Sequence, residues 1–171
     1  MQVVAKFEKV SYNQFSESWK DTFQEDSEQT IKEIYDSITL PKRATVGSAG
    51  YDFFSPLKIE LKPGETIKIP TGVRVRMKED WVLQCYPRSG LGFKFRLQLN
   101  NTVGIIDSDY YYSDNEGHIF LRMTNDNREG KGLRIPAGTA FAQGIFLPFG
   151  VTVDDHVSTV RNGGLGSTTR A

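Results

Sequence analysis

Four stretches of this chain set glycines beside side chains that can do chemistry. In Ala44–Asp52 (ATVGSAGYD) two glycines flank a serine, which lets backbone come close to a bound group. Asp52 stands where the chain re-enters a strand, as a reactive carboxylate or as a plain capping residue. Pro87–Gly92 (PRSGLG) gathers an arginine, a hydroxyl and free backbone N–H groups in one tight turn. That turn reads as a cradle for an anion or as an ordinary bend with an exposed arginine. It lacks the G-x-x-x-x-G-K-[ST] spacing of a Walker A loop. Asn101–Tyr110 (NTVGIIDSDY) offers Asn101, whose amide carries a donor and an acceptor suited to the edge of a base, then a hairpin around Gly104 presenting Asp107. Asp107 and Asp109, two apart, would share one side of a strand. They read as a carboxylate pair for a general base or a metal, or as two exposed turn acids. Arg161–Arg170 spaces glycines and hydroxyls between two arginines, the composition of a lid over phosphates or of a mobile terminus.

Composition narrows the chemistry. Lysine plus arginine balance aspartate plus glutamate at 21 each, so the basic excess that direct nucleic-acid binding needs is missing. One cysteine, Cys85, and two histidines, His118 and His156, leave no internal disulfide and no cysteine-rich zinc site. No apolar run is long enough to cross a membrane, and the start MQVVAKFEKV has no signal-peptide core, so the expected location is the cytoplasm. Catalysis is left to carboxylates, hydroxyls, arginines and backbone.

The elements that must position these residues fall into two regimes. Residues 11–38 hold seven acids against two lysines, a net charge of −5. Phe15, Trp19, Phe23, Ile31, Ile34, Tyr35 and Ile38 recur there mostly at helical spacing. Ser11 with Gln14 and Asp26 with Gln29 read as capping boxes, predicting two short helices broken near Glu25–Ser27 and ended at Thr39–Pro41. From Val46 the pattern turns to short alternating runs: Leu57–Leu61, Thr66–Pro70, Gly72–Met77, Trp81–Tyr86, Phe93–Leu99, Gly117–Met123, Leu133–Ile135 and Ala142–Phe149. Strands at such intervals predict a mainly β, jelly-roll-like barrel, one domain of 171 residues with a short inserted helical segment near its N-terminus. Cys85 alternates with buried positions and reads as a free core thiol; His118, beside the hairpin, reads as a surface histidine or as one that touches substrate.

The order of the four stretches, with Ala142–Gln143 between the third and the last, closely resembles the trimeric dUTPase family from about Pro41 to Thr169. The resemblance implies a homotrimer whose intersubunit sites hydrolyse dUTP to dUMP and pyrophosphate with Mg2+, keeping uracil out of DNA. It implies that Asp107 deprotonates the water attacking the α-phosphate and that Tyr110 stacks on the deoxyribose. Asn101, with Gly104, Ile105, Ile106 and Phe120, would recognise uracil. Arg88, Ser89, Gly90 and Gln143 would hold the phosphates, and Asp52 would meet the waters of a magnesium ion carried mainly by those phosphates. Arg161, Leu165, Gly166 and Ser167 would close over the substrate from a flexible tail, residues 161–171.

The chain departs from the family pattern in four places. Ala140 replaces the usual arginine before Ala142–Gln143, with Arg134 as a substitute for its contact. Leu165 replaces the aromatic that covers uracil, and Arg161 stands one residue nearer to it than usual. The family's Tyr-x-Gly-x-Ile is expanded between Tyr110 and Ile119. The acidic segment 11–38 is inserted, either as a helical patch packed through Phe15, Trp19 and Phe23 or as a docking surface for a protein partner. Two other functions stay open: a regulatory, phage-borne protein on the same body, and a dCTP deaminase. The deaminases carry an arginine four residues after the serine of their Arg-Ser motif, where this chain has Phe93.

Overall fold

A computed structural model describes residues 2–25, 27–159 and 161. In chain order the elements are β1 (Ala5–Lys9), α1 (Tyr12–Phe23), α2 (Glu28–Ser37), β2 (Lys42–Arg43), β3 (Tyr51–Phe54), β4 (Ile59–Leu61), β5 (Thr66–Pro70), β6 (Val73–Met77) and β7 (Trp81–Pro87). They continue with α3 (Ser89–Phe95), β8 (Leu97–Leu99), β9 (Gly104–Ile106), a 3-10 turn (Ser108–Tyr112), β10 (Phe120–Asn125), β11 (Leu133–Ile135) and β12 (Ala140–Pro148). The fold is mainly β, as the alternating runs predict. All its strand pairs are antiparallel: β1 with β6, β4 with β11, β10 between β5 and β8, and a five-stranded sheet in the order β2-β3-β12-β7-β9. Inward residues of these sheets and of the helices meet in one apolar core, with Phe53, Ile69, Leu83, Cys85 and Phe141 fully buried. Cys85 is the free core thiol its alternation predicts, and burial pushes its pKa up to about 12. Among the described residues, no helix is long and apolar enough to cross a membrane.

The inserted segment is part of that core. Phe15 and Ile31 are fully buried and Trp19 nearly so, with Phe15 5.3 Å from Trp19 and 5.6 Å from Tyr35 between ring centres. Each such side chain contributes roughly 1.5–3 kcal/mol by burial. Ser11 caps α1 as predicted, its Oγ accepting from Gln14 N–H at 3.2 Å. The reciprocal half of the capping box comes from elsewhere: Ser11 N–H donates to the Glu116 carboxylate at 2.7 Å, while Gln14 turns to Ser18. The second cap is Ser27, whose Oγ accepts from Thr30 N–H; the predicted cap, Asp26, lies outside the described residues.

Two further expectations are corrected. Phe93–Leu99 is not a strand: Ser89–Phe95 forms α3 and only Leu97–Leu99 is extended. The apparent alternation misleads because Leu91 and Phe95, four apart, pack on the core while Phe93 is 91% exposed. His118 is not at the surface but fully buried. Its Nε2 accepts from Gly72 N–H at 2.8 Å, and its Nδ1 lies 3.0 Å from Ser18 Oγ of α1.

Candidate active site

The third stretch supplies one half of the site. Gly104–Ile106 pairs with β7 as the edge of the five-stranded sheet, and a Cβ on Gly104 would sit only 3.1 Å from that of Cys85. The chain then leaves the sheet at Asp107, which starts the 3-10 turn. Asp107 and Asp109 therefore do not lie on one strand, contrary to the spacing argument. They converge nonetheless, because Arg161 binds both: its Nη2 donates to Asp107 and its Nε to Asp109 at 2.9 Å. The same guanidinium lies 6.0 Å above the ring of Tyr110. Just before Asp107 in the chain, Asn101, Gly104, Ile105 and Ile106 line, with Phe120, a single cleft of about 530 Å³. These five are the uracil-recognition set that the family resemblance implies. Lys68, which sequence reasoning passed over, lines the same cleft with its ammonium 4.8 Å from the Phe120 ring centre. Its place across the β5–β10 ladder leaves no trace in local sequence.

The other half is built by three adjacent strands. Gln143 of β12 sits opposite Asp52 of β3 on one side and Tyr86 of β7 on the other. Arg88 follows β7 and reaches across to Asp52, Nε to carboxylate oxygen 3.2 Å. Gln143 Nε2 donates to the Pro87 carbonyl at 3.3 Å. Gly50 lies so close that a Cβ there would be 2.5 Å from Gln143 Oε1, so glycine here makes room for that amide. Arg88, Ser89 and Gln143 line an open depression, and Ser89 and Gly90 form the first turn of α3 rather than an isolated bend. Ala140 is buried, and Arg134, the substitute offered for the missing arginine, is an exposed side chain of β11. It pairs with Glu60 across β4 and β11 at 2.6 Å.

The two halves stand far apart within one chain. In the antiparallel β7–β9 register Ile106 faces Leu83, so Asp107 leaves near Val82 while Arg88 follows the opposite end of β7. Six residues of strand separate those levels, about 20 Å at the extended rise. Asp52, on β3, also lies three strands from β9 in the sheet order. Leu165, Gly166 and Ser167 lie outside the described residues.

A magnesium ion bound only by protein would need several oxygen ligands converging on one point. Among the described residues no group of three or more His, Cys, Asp or Glu does so. Asp52, a single carboxylate beside an arginine, fits contact with the water shell of an ion that phosphate oxygens carry.

A mainly β fold presenting these motifs in this order defines a class, that of the dUTPases, and a family model described as dUTPase matches residues 36–169. The chain belongs to the dUTPase family. The deoxyuridine 5'-triphosphate nucleotidohydrolase of Lactococcus lactis is 43% identical to it over 134 residues, 77% of this chain and 88% of that protein. Among solved structures, dUTPase from Streptococcus mutans is 35% identical with a TM-score of 0.62, covering 87% of this chain and 98% of that one. The fold is shared as well with a dUTPase of Staphylococcus aureus phage phi11, whose structure describes a structural Mg(II) ion; there the TM-score is 0.61 at 21% identity, over 91% of this chain and 97% of that one.

Proposed function

We propose that this chain is a dUTP pyrophosphatase acting as a homotrimer, with each site shared between subunits. The observation that carries this reading is the separation of Asp107 from Arg88, longer than the triphosphate both would touch. One subunit would bring the nucleoside cleft with Asp107 and Tyr110, and a neighbour would bring Arg88, Ser89, Gly90, Gln143 and Asp52. Asn101 and the backbone of Gly104–Ile106 and Phe120 pair with the edge of uracil, and the Tyr110 ring packs on the deoxyribose. Asp107 takes a proton from a water whose oxygen attacks the α-phosphorus; the bond from that phosphorus to the α,β-bridging oxygen breaks, and pyrophosphate leaves with the electron pair. Arg88 and the α3 amides stabilise the charge that develops on the leaving group. The substrate is taken as the magnesium complex of dUTP, the ion neutralising phosphate charge.

Arg161 has two jobs in this scheme. It must leave Asp107 before a water can be activated there, and the γ-phosphate offers it a new partner. Residues 161–171, Leu165, Gly166 and Ser167 included, close over the site. Deamination of dCTP is disfavoured because Phe93 stands where the deaminases carry arginine.

The test is pyrophosphate release from dUTP, dCTP, dTTP and UTP with magnesium. Wild type releases it from dUTP, and Asp107→Asn lowers kcat by about 10²–10⁴-fold while still binding the nucleotide. Bound but unconverted dUTP in the wild type would overturn the reading.

A further inference from the structure

Behind Tyr110 runs a chain of hydrogen bonds that leads from the site into the two features setting this sequence apart, the expanded loop and the inserted helices. The Tyr110 side chain is buried, and both positions of its hydroxyl are used. It donates to the His118 carbonyl at 2.8 Å and accepts from Asn115 Nδ2 at 2.8 Å. Asn115 is itself fixed, because its Oδ1 accepts from Gly117 N–H at 3.2 Å. Gly117 has φ +69°, and a Cβ there would lie 2.7 Å from the Tyr110 carbonyl oxygen and from the Tyr111 Cα. The loop therefore lies flat against the backbone it supports.

His118 continues the chain. Because Gly72 N–H donates to Nε2, the proton of the neutral ring sits on Nδ1 and points to Ser18 Oγ on α1. The ring also lies 4.4 Å from that of Phe120, at the edge of the nucleoside cleft. The Tyr110 phenol is thus tethered at both hydroxyl positions.

We propose that Asn115 and His118, with Ser18 behind them, are positioning residues that hold Tyr110 rigid and so set the discrimination of deoxyribose from ribose. This rests on the reading that Tyr110 packs on the sugar. Exclusion of a hydroxyl by an apolar surface is only as strict as the surface is stiff, since a ring that yields by a fraction of an ångström accommodates the larger substrate. The expanded loop and α1 supply that stiffness from behind.

The experiment compares kcat/KM for dUTP and UTP in full-length wild type, Asn115→Asp, Ser18→Ala and Tyr110→Ala, with dCTP as a control for base recognition. In Asn115→Asp the isosteric side chain no longer donates to the phenol. Its UTP-to-dUTP ratio should rise about tenfold, with dCTP still rejected and dUTP turnover changed far less than UTP turnover. Ser18→Ala should move the same ratio in the same direction by a smaller factor, and it decides the matter if the first variant does not fold. An unchanged ratio in the folded variants, with both substrates slowed equally or a lowered Tm alone, overturns the positioning role. If Tyr110→Ala also leaves the ratio unchanged, the sugar reading of Tyr110 falls as well. Relaxation by Tyr110→Ala alone removes only the positioning role.

Discussion

His118 gives up a proton on folding because the cavity that holds it leaves no place for a charged ring. Burial is the main cause and lowers its pKa from the ordinary 6.5 to about 3, against the pull of Glu116 and with a small push from Lys68. Between those values the unfolded chain binds a proton that the folded chain refuses, so stability is full above pH 6.5 and falls as pH drops toward 3. The slope reaches at most about 1.4 kcal/mol per pH unit. Glu8, lowered to about 2 chiefly by its Lys6 hydrogen bond, adds a loss in the same direction, but only below about pH 4.5. Denaturant unfolding between pH 7 and 5 therefore isolates the histidine. Wild type should lose stability across that window, and His118→Gln should lose clearly less; parallel slopes would refute the assignment. A histidine beside a loop glycine reads as exposed until the loop is known to fold back, which no local pattern announces.

The helices and the long loop form one structural unit. Glu116 completes the N-cap of α1 through Ser11, and it approaches Arg74 at 3.8 Å. Arg74 in turn stacks on Tyr111, the neighbour of Tyr110, at 4.5 Å. The two expansions of the family pattern thus brace each other and the 3-10 turn that begins at Asp107. Phe15→Ala should cost about 3–5 kcal/mol in denaturant unfolding, whereas Glu17→Ala and Glu33→Ala, on the exposed face, should stay within about 0.5 kcal/mol. Equal effects would mean that the segment does not stabilise the fold through its buried face. Gly117→Ala should destabilise by about 1–3 kcal/mol, because it combines a left-handed backbone with a clash against main chain that cannot retreat. A Tm within a degree of wild type would contradict that geometry. The helical spacing and the Ser11 cap were legible in sequence. The loop's supporting role was not, since its partners lie about a hundred residues away in Ser11 and Ser18.

At the scale of the whole molecule, the distance between Asp107 and Arg88 makes a prediction that no single-chain enzyme would share. Asp107→Asn and Arg88→Ala, each inactive alone, should regain activity when their subunits are exchanged. With each site taking one half from each of two chains, as proposed, a 1:1 random mixture would restore about a quarter of the wild-type sites. No recovery after demonstrated exchange would place both residues of a working site in one chain. The sequence by itself determined the class of fold and the inventory of reactive groups. Strand alternation follows from the period-two geometry of extended chain, and Asp52, Arg88, Asn101, Asp107, Tyr110 and Gln143 declare themselves by type and order. Only the tertiary structure decided which of these meet. Asp52, Arg88 and Gln143 come together through strand pairing across β3, β12 and β7, while the β7–β9 register sends Asp107 the other way. Local spacing encodes which face a residue takes, but register and loop return set which distant residues share it, and these are fixed by the packing of the whole core.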